Sequence, residues 1–417
     1  MSTAAFYTLG CKVNQAETRR LAEALHKRGW QIANSRESAD VYIINSCTVT
    51  AESARKTRQA VRRFKKNNPQ AKVALIGCMP SVADNLGEQL PEADIILRQD
   101  EKDALPDVLH QLVGERRAVP SQRHAPIKAI RQAVKIQDGC DRFCSYCVIP
   151  LARGRARSVP LDEVLNECRL LLDSGTREII LTGINLGSWG AEQFTIADAV
   201  QAVSELPELL RLRLGSLEPD LLTHELLEKL AQVEKLCPHF HISLQSGSDS
   251  VLQRMNRQYS SAQFAELCTN IRKLFLDCTI TTDIITGFPG ETYEEFAETL
   301  AFAQEIMFEK THVFPYSARP GTRAAEMPNQ LSRAVKEQRA RELIKTMDEI
   351  RQSFLRSQVG KTLEIMPEEI DTNGFVRGYT ANYIPVRSAA PALPNGLVNV
   401  LITGVESDYL IGVISAP

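Results

Sequence analysis

Aromatic residues are scarce in this chain, and long apolar runs are missing from it. Phe, Trp and Tyr together make up 6% of the 417 residues, which argues against a base-stacking surface spread along the whole chain. A membrane-spanning helix needs about 20 consecutive apolar residues, and the sequence contains no such run. We therefore expect no membrane partner.

An excess of charge of either sign is also missing. Lys and Arg number 49 and Asp and Glu number 51, which gives a formal net charge of −2. Contact with nucleic acid would therefore depend on local basic patches. The first residues lack the basic and then apolar segments of a signal peptide. Ten cysteines without such a segment suit a reducing compartment, so we predict a cytoplasmic protein.

Length and patterning predict an α/β protein of several domains. Hydrophobic residues are 43% and charged residues 24% of the chain, as in ordinary globular proteins, and 417 residues suit two or three domains. Strand and helix patterns alternate in two long runs and then give way to short strand patterns. We predict domains at 1–114, 132–356 and 357–417, with a polar, proline-containing linker at 115–131.

Three cysteines lie within nine residues near the start of the second domain. Cys140, Cys144 and Cys147 have the spacing C-x3-C-x2-C. Iron–sulfur clusters are held by cysteine sulfur, and three ligands would leave one iron open to a small molecule, as in catalytic metal centres. The alternatives are a zinc site or buried thiols. Zinc sites usually pair two C-x2-C units, and no second unit is adjacent, so the spacing favours a cluster.

The C-x3-C-x2-C motif resembles the signature of the radical S-adenosylmethionine (SAM) enzymes. This resemblance implies that the open iron chelates the amino and carboxylate groups of the methionine part of SAM. It also implies that the cluster passes one electron into the sulfonium.

Three further cysteines follow predicted strands in the first domain. An open parallel sheet covered by helices is predicted from strands at 5–9, 41–45 and 72–77 and helices at 14–29 and 50–67. Cys11, Cys47 and Cys78 each follow the carboxyl end of one of these strands. Ligands bind at that edge of an open parallel sheet. The three thiols therefore suggest a second metal site, although a single cysteine in such a place is usually just buried.

Polar residues near these cysteines have two interpretations each. Asn14 stands at a predicted helix start, where it either caps the helix or contacts a substrate. The helix at 50–67 carries seven basic residues with Glu52 as the opposing charge. This face is either solvated or touches phosphates, with Arg62 and Arg63 as the candidate contacts.

The second domain is predicted to form a partial (β/α)6 barrel. Its predicted strands lie at 134–137, 177–182, 211–216, 240–245, 279–286 and 311–315. Six strand–helix units in series favour a barrel, whose chemistry lies at the carboxyl ends of the strands. Turn residues explain many of the glycines and serines there. Polar groups recurring at that edge could bind the ribose and methionine of SAM, and our candidate contacts are Tyr146, Gly183, Asn185, Ser216, Glu218 and Gln245. The alternative for the Tyr146 ring is packing in the core.

Basic residues also lie near the predicted reaction centre. Arg153, Arg155 and Arg157 follow the cysteine motif, where they could bind a phosphate-rich substrate or neutralise thiolates. Tyr316 and Arg319 lie in the loop after the sixth barrel strand and are further candidates for substrate contact.

The last domain is predicted to be a small β-barrel. Five short strand patterns separated by turn residues follow residue 358. Small barrels often bind nucleic-acid strands, and Arg377 and Arg387 are candidate contacts. The alternative is a module that only packs against the rest of the protein. We expect the remaining cysteines to be buried thiols, namely Cys168, Cys237, Cys268 and Cys278.

Taken over nearly its full length, the chain resembles the radical SAM methylthiotransferases. The matching stretches are Thr8–Gln15, Gly139–Cys147, Leu244–Ser248 and Thr286–Thr292, with the turns at Cys47 and Cys78. Members combine an N-terminal cluster domain, a radical SAM barrel and a TRAM barrel that binds tRNA. The run Gly-Cys-Lys-Val-Asn-Gln resembles the branch that modifies N6-threonylcarbamoyladenosine beside the tRNA anticodon. The isopentenyladenosine branch usually has Gln-Met after the first cysteine, and the ribosomal-protein branch has Pro-Lys.

The resemblance implies two [4Fe–4S] clusters, SAM and a tRNA substrate. The 140–147 cluster would cleave SAM to a 5′-deoxyadenosyl radical, which removes hydrogen from C2 of the modified adenine. The cluster of the first domain would carry the methylated sulfur. An electron donor such as flavodoxin or ferredoxin and a sulfur donor are the implied partners. The alternative functions are methylthiolation of isopentenyladenosine or of a ribosomal-protein aspartate, or a non-enzymatic iron–sulfur protein that binds nucleic acid.

Overall fold

The computed structural model describes residues 2–113, 129–191, 193–390, 392–394 and 396–414. Most of the predicted linker, at 115–128, lies outside these residues. The described residues form an open five-stranded sheet, a partial barrel and a small closed barrel. The predicted α/β fold class is confirmed. No helix in the described ranges is long and apolar enough to cross a membrane.

The first body is the open sheet covered by helices. Its elements are β1 Thr3–Thr8, α1 Lys12–Lys27, β2 Gln31–Asn34, β3 Val41–Ser46, α2 Ala51–Asn67, β4 Lys72–Gly77, α3 Cys78–Leu86, β5 Ile95–Leu97 and α4 Leu105–Val113. The strands are parallel in the order β2-β1-β3-β4-β5. All of β3 and nearly all of β4 are buried, because helices cover both faces of the sheet.

The second body is the partial barrel. Its strands and short strand segments are β6 Arg131–Lys135, β7 Gln137–Asp138, β8 Arg157–Ser158, β9 Glu178–Thr182, β10 Gly190–Ala191, β11 Phe194–Thr195, β12 Arg211–Leu214, β13 Ser216–Leu217, β14 His239–Ile242, β15 Thr279–Thr286 and β16 Lys310–Pro315. Its helices are α5 Ile149–Arg153, α6 Leu161–Asp173, α7 Ile196–Ser204, α8 His224–Ala231, α9 Asp249–Arg254, α10 Ser261–Leu274, α11 Tyr293–Ile306, α12 Arg323–Glu326 and α13 Arg333–Arg356.

Two parallel sheets make the wall of this barrel. One has the order β12-β9-β6 and the other has the order β13-β14-β15-β16. Backbone hydrogen bonds from Leu212 N to Lys235 O and from Cys237 N to Leu212 O, both 2.8 Å long, join the two sheets just before β14. The wall therefore curves continuously from β6 to β16, as the six predicted strands require.

The barrel strands have an apolar outer face and a polar inner face. On β15, Ile280 and Ile284 belong to the large apolar core under the helices. Thr281 and Asp283 alternate with them and point to the opposite side, because successive strand residues face opposite sides of a sheet. The barrel lumen is consequently lined by groups that can bind ligands.

The third body is a closed five-stranded barrel. Its strands are β17 Thr362–Ile370, β18 Phe375–Thr380, β19 Pro385–Ala389, β20 Val398–Glu406 and β21 Tyr409–Ile414, in the order β17-β18-β19-β21-β20. Its core includes Ile365, Val386, Val400 and Leu410. The predicted small β-barrel is thus observed.

The turn between β18 and β19 enters the amino-terminal end of the partial barrel. We call this turn, residues 381–383, the barrel plug. Arg213 donates hydrogen bonds to Ala381 O at 2.6 Å and to Thr380 O at 2.8 Å. Thr279 Oγ1 donates to the carbonyl of Asn382 at 2.5 Å. The Tyr383 ring lies 4.7 Å from the His239 ring in the lumen. The third body is therefore anchored to the floor of the second.

Candidate active site

The Cys140–Cys147 loop lies between β7 and α5 at the carboxyl end of the first barrel strands. Cys147 N donates to Cys144 O at 3.0 Å, and Ser145 N donates to Met255 O at 3.0 Å. Arg142 N lies 3.5 Å from Cys140 Sγ, a hydrogen bond that suits a thiolate acceptor. These hydrogen bonds fold the loop into a tight turn and tie it to the end of α9. Burial raises the pKa of Cys147 to about 12, and the neighbouring Cys144 adds to this effect.

Gly139 allows this loop to approach the chain that follows α5. Its φ is +70°, in the left-handed region that favours glycine. A Cβ atom at this position would lie only 1.9 Å from the carbonyl oxygen of Arg155. The start of the cysteine motif therefore requires glycine for steric reasons, apart from any ligand.

Arg257 contacts the cysteine loop from the other side of the site. Its Nη1 lies 3.2 Å from Cys144 Sγ. Its guanidinium also pairs with Glu218 and donates to Ser243 O at 3.1 Å. With 3% of its side chain exposed, Arg257 presents a fixed positive charge to a cysteine sulfur. Such a charge stabilises a thiolate.

Cys11, Cys47 and Cys78 follow the adjacent strands β1, β3 and β4. The strand registers pair Thr8 with Asn45 and Ser46 with Gly77, so the three chain segments leave the sheet side by side. A Cβ atom on Gly10 would lie 3.0 Å from the Cβ of Cys47. Cys47 and Cys78 are buried, whereas Cys11 is exposed. The structure thus brings this trio to one edge of the sheet.

The pKa of the Cys78 thiol depends on its burial and on the two other cysteines of the trio. Burial raises the pKa of Cys78 to about 12, Arg153 opposes this, and the neighbouring Cys47 and Cys11 add to it. Thiols held this way remain protonated unless a cation replaces the protons. A metal centre supplies such a cation and deprotonates its thiol ligands.

Asn14 ties together the two loops that carry Cys11 and Cys47. Its Nδ2 donates to Leu9 O at 3.1 Å and to Ser46 O at 3.0 Å. Its Oδ1 accepts from Arg153 Nη2 at 2.8 Å. Asn14 is 1% exposed and Arg153 is 3% exposed. Both side chains hold the loops in position, and against the effect of burial Arg153 also lowers the pKa of Cys78, as its alternative role of neutralising thiolates expects. Their contact with a substrate stays a prediction.

Arg153 also joins the first two bodies through a buried ionic network. Its Nη1 donates to Glu17 Oε1 at 2.9 Å and to Asp138 Oδ1 at 2.8 Å. Glu17 Oε1 also accepts from Lys102 Nζ at 2.7 Å and from Lys135 Nζ at 2.9 Å. Since Arg153 ends the helix after the Cys147 loop and Glu17 lies on α1 after Cys11, the network fixes one cysteine loop relative to the other.

Replacing Glu17 by Gln is expected to lower the free energy of unfolding by about 3–5 kcal/mol, because buried cations lose their partner. Burial alone would raise the pKa of Glu17, but Arg153, Lys135 and Lys102 hold it well below its usual range. A lowered folded-state pKa stabilises the protein above the unfolded-state value of about 4.3, and this stabilisation is lost as the pH falls further.

Denaturant unfolding at several pH values measures this effect. The gap between wild type and Glu17→Gln should be full at pH 7 and should narrow progressively below about pH 4. Glu23→Gln on the same helix is the matched control. Its side chain is 34% exposed in a pair with Arg19, so it should cost at most about 1 kcal/mol. Equal effects of the two substitutions would contradict the assigned role of Glu17.

The predicted SAM contacts differ in how available they are. Asn185 is 5% exposed, and its Oδ1 has no hydrogen-bond partner among the residues that the structure describes, as suits a ligand's donor. Gln245 has a φ of +69°, and its backbone pairs with β15. Ser216 is exposed, whereas Gly183 packs closely on Gln137.

Two of these contacts are engaged elsewhere. The carboxylate of Glu218 pairs with Arg257, so it can bind SAM only while sharing that cation. The ring of Tyr146 packs against a buried cluster that contains Val251, Met255 and Phe288. Burial raises the pKa of Tyr146 well above its usual value. Packing, the alternative interpretation of this ring, is therefore what the structure shows, and only its backbone stays available.

The loop after β16 reaches the cysteines of the first body. Arg319 Nη2 donates to Thr48 Oγ1 at 2.8 Å, next to Cys47. Ser317 Oγ accepts from Ala51 N at 3.1 Å. Tyr316 is 5% exposed, and its hydroxyl has no partner within the described ranges. Arg319 thus connects the second body to the Cys47 loop. Tyr316 packs within the second body, where its ring centroid lies 5.5 Å from that of Phe288.

The other candidate arginines lie on surfaces. The Arg155 and Arg157 side chains are 75% and 57% exposed beside the cysteine motif. Arg62 and Arg63 are exposed on α2, and the Arg63 guanidinium lies over the rings of Tyr7 and Phe64. On the third body, the guanidinium groups of Arg377 and Arg387 lie 5.1 and 4.2 Å from the centroid of the Tyr409 ring.

Among the remaining cysteines, three match the prediction of buried thiols. Cys168, Cys237 and Cys268 are buried, whereas Cys278 is only partly buried because it precedes β15 near the surface. Burial raises the pKa of Cys168 and Cys268 to about 12. Burial therefore disfavours the thiolate form of these two core residues.

Sequence reasoning did not identify Arg257, Thr48 or Glu17. No sequence signal marks Arg257, because its contact with Cys144 spans 113 residues. Glu17 did carry a signal, since it lies on the buried face of α1 with Val13 and Leu21. A charge on an otherwise apolar helix face needs a buried partner.

Comparison with known proteins gives two family matches. Residues 134–303 match the model of the Radical SAM superfamily. Residues 3–98 match Uncharacterized protein family UPF0004. The two matches fall within the two bodies that carry the cysteine trios, and each includes one trio.

The chain is similar over most of its length to curated tRNA-modifying enzymes. It is 36% identical over 408 residues to "Threonylcarbamoyladenosine tRNA methylthiotransferase MtaB" of Bacillus subtilis, with 93% of this chain and 90% of that protein covered. It is 32% identical over 430 residues to "tRNA-2-methylthio-N(6)-dimethylallyladenosine synthase" of Pelotomaculum thermopropionicum, with 97% and 96% covered. Among solved structures, the radical SAM methyltransferase TsrM of Kitasatospora setae has a TM-score of 0.56 at 15% identity, covering 78% of this chain and 77% of that one. This last likeness concerns the fold alone.

Proposed function

The chain belongs to the radical SAM tRNA methylthiotransferase family, and on that premise we propose that it holds two [4Fe–4S] clusters. Cys140, Cys144 and Cys147 would hold one, and the cysteines after β1, β3 and β4 would hold the other. Among the described residues, one trio lies on a single loop and the other follows three adjacent strands. Three thiol ligands from each would leave one iron of a cluster open. Buried thiols with raised pKa values need a cationic partner to ionise.

We further propose that the enzyme inserts a methylthio group at C2 of N6-threonylcarbamoyladenosine next to the anticodon of tRNA. The Bacillus subtilis relative is named a threonylcarbamoyladenosine tRNA methylthiotransferase. The run at Gly10–Gln15 has the residues of the same branch. A tRNA substrate also supports a cytoplasmic location. We propose that the three bodies correspond to domains at 1–114, 132–356 and 357–417, the last being the TRAM-like module.

The clusters and SAM would supply the one-electron and sulfur chemistry, while the protein binds and orients them. Arg257 donates a charged hydrogen bond to Cys144, and hydrogen bonds to ligand sulfur help to set the potential of a cluster. The Oδ1 of Asn185, which has no partner among the residues that the structure describes, would accept a hydrogen bond from SAM. Asn14 and Arg153 hold the two cysteine loops in register. An electron donor of the flavodoxin or ferredoxin type and a sulfur donor complete the proposal.

Comparing tRNA nucleosides with and without the gene tests the substrate. Mass spectrometry should show loss of the 2-methylthio group from threonylcarbamoyladenosine and its return when the gene is restored. Loss from isopentenyladenosine instead would assign the enzyme to the other tRNA branch. If the strain without the gene keeps the methylthio group on both nucleosides but loses it from the ribosomal-protein aspartate, the substrate is that protein and not tRNA.

Reversing the charge at Arg62 and Arg63 is expected to weaken tRNA binding. We propose that α2, which begins three residues after Cys47 at its capping residue Thr50, contacts phosphates through its exposed basic face. Each lost phosphate contact reduces the salt slope of the affinity by about 1, so the double variant should lose about 2. Equilibrium binding at several salt concentrations measures the slope.

The matched control reverses Arg341 and Lys345, two exposed basic residues on α13. Both double variants change the net charge by the same amount, so a nonspecific effect would appear in both. An unchanged slope for the α2 variant, or the same change in the control, would place the α2 face among ordinary solvated surfaces.

A further inference from the structure

Three side chains of types that can bind a metal meet in the lumen of the partial barrel, and none of them belongs to a cysteine trio. His241, Asp283 and His312 come from the adjacent strands β14, β15 and β16. Strand register pairs Asp283 directly with His312 and His241 with Thr281. One ligand atom from each of the three side chains lies within 4.8 Å of the other two. None of these residues has a role in the proposed reaction.

Hydrogen bonds orient the group as they do at metal sites. His241 Nδ1 lies 2.9 Å from Thr281 Oγ1, which leaves Nε2 to face Asp283 Oδ2 at 3.2 Å. In metal-binding histidines, the nitrogen that does not bind the metal usually forms a hydrogen bond with a polar neighbour, which fixes the orientation of the ring. The His241 and His312 ring centroids are 5.9 Å apart. The two imidazoles and the carboxylate therefore converge on one point.

The ion pairs of the carboxylate bear on whether it is available to a metal. In the part of the chain that the structure describes, Asp283 forms an ion pair with His241 and with no lysine or arginine. The side chains of His241 and Asp283 are 15% and 28% exposed, and His312 is exposed. An ion can therefore reach the site from solvent on the side of β16.

We propose that His241, Asp283 and His312 bind a divalent transition-metal ion such as Zn²⁺. Two imidazoles and one carboxylate are a ligand set that divalent transition metals take up while leaving other coordination positions open. The softer thiolate ligands belong to the two trios, so this ion would be a third and separate centre. Its open positions would face the lumen that leads towards the carboxyl ends of the strands.

The test measures Zn²⁺ retained by the protein with both clusters loaded. After incubation with Zn²⁺ and gel filtration, elemental analysis should find about one zinc per chain in the wild type, with iron unchanged. Asp283→Asn and His312→Gln should each raise the apparent dissociation constant by more than the roughly 10–100-fold that loss of a supporting neighbour costs. His312 is exposed, so that variant should fold even if Asp283→Asn does not.

Two further variants make the result specific. Thr281→Val removes the hydrogen bond to His241 Nδ1 and a longer contact of 3.4 Å with His239 Nε2, which is not one of the three ligands, and it should weaken zinc binding by roughly 10–100-fold. His224→Gln changes an exposed histidine on α8 and should have no effect. Anomalous scattering at the zinc edge should place the ion between the three side chains.

The proposal is overturned if the loaded protein retains no stoichiometric zinc, or if His312→Gln and Thr281→Val retain as much as the wild type. Release of 5′-deoxyadenosine and methylthiolation are measured on the same samples. Their presence without zinc would leave the proposed function standing while removing the third centre. Zinc binding without either activity would support the third centre and contradict the proposed function.

Discussion

Replacing Cys144 by Ala is expected to reduce the release of 5′-deoxyadenosine from SAM to the level of a protein-free control. With three ligands in the loop, loss of one leaves the cluster without its full set of thiolates. Cys144 is also the ligand that Arg257 contacts at 3.2 Å, so the variant loses that hydrogen bond as well. Incubation of reconstituted protein with SAM and dithionite, followed by chromatography, measures the product.

Cys278→Ala is the matched control for this experiment. Cys278 lies in the same body but precedes β15 and is only partly buried. Its loss should leave cleavage of SAM unchanged. Cleavage that persists in Cys144→Ala would show that the proposed ligand set is wrong, whatever the control does.

Replacing Cys47 by Ala is expected to separate the two halves of the reaction. The variant should contain about half of the wild-type iron, because each trio holds one of the two proposed clusters. It should still cleave SAM, since the loop at Cys140–Cys147 is intact, but methylthiolation of tRNA should fall to background. Iron analysis, 5′-deoxyadenosine release and nucleoside mass spectrometry on one preparation give the three readouts.

Neighbouring contacts make this variant a sharp test. Thr48, next to Cys47, accepts the hydrogen bond from Arg319 of the second body. A Thr48→Val variant would break that contact and keep the thiol, so it controls for disturbance of the loop. Full iron content in Cys47→Ala, or methylthiolation that survives, would exclude a cluster at the edge of the open sheet.

Strands buried on both faces could be predicted from the sequence, whereas short edge strands could not. β3 and β4 were predicted within a residue of their ends because helices cover both of their faces and the strands are apolar runs. β2 and β5 were missed. β2 has no fully buried residue and β5 is three residues long. Neither gives a hydrophobic period that stands out from the surrounding loop.

The same distinction holds at the candidate site. The cysteines of the first body could be grouped from sequence because each ends a predicted parallel strand, and the structure brings them together at that edge. The roles of Arg153 and Asn14 could not be predicted, because burial depends on how two bodies pack. Arg153 reaches Glu17 across 136 positions of the chain. Asn14 and Arg153 were expected to contact the substrate because of their place in the sequence, and here they hold two loops in position.

The barrel plug fixes the distance between the third body and the cysteine loops. The turn at 381–383 forms hydrogen bonds with Arg213 and Thr279 at the amino-terminal end of the partial barrel. The third body is therefore held in one position relative to the second. The span from Arg377 and Arg387 to the cysteine loops is then a property of the rigid protein. In an RNA bound to the third body, only a base at that distance from the bound segment would reach the cysteine loops.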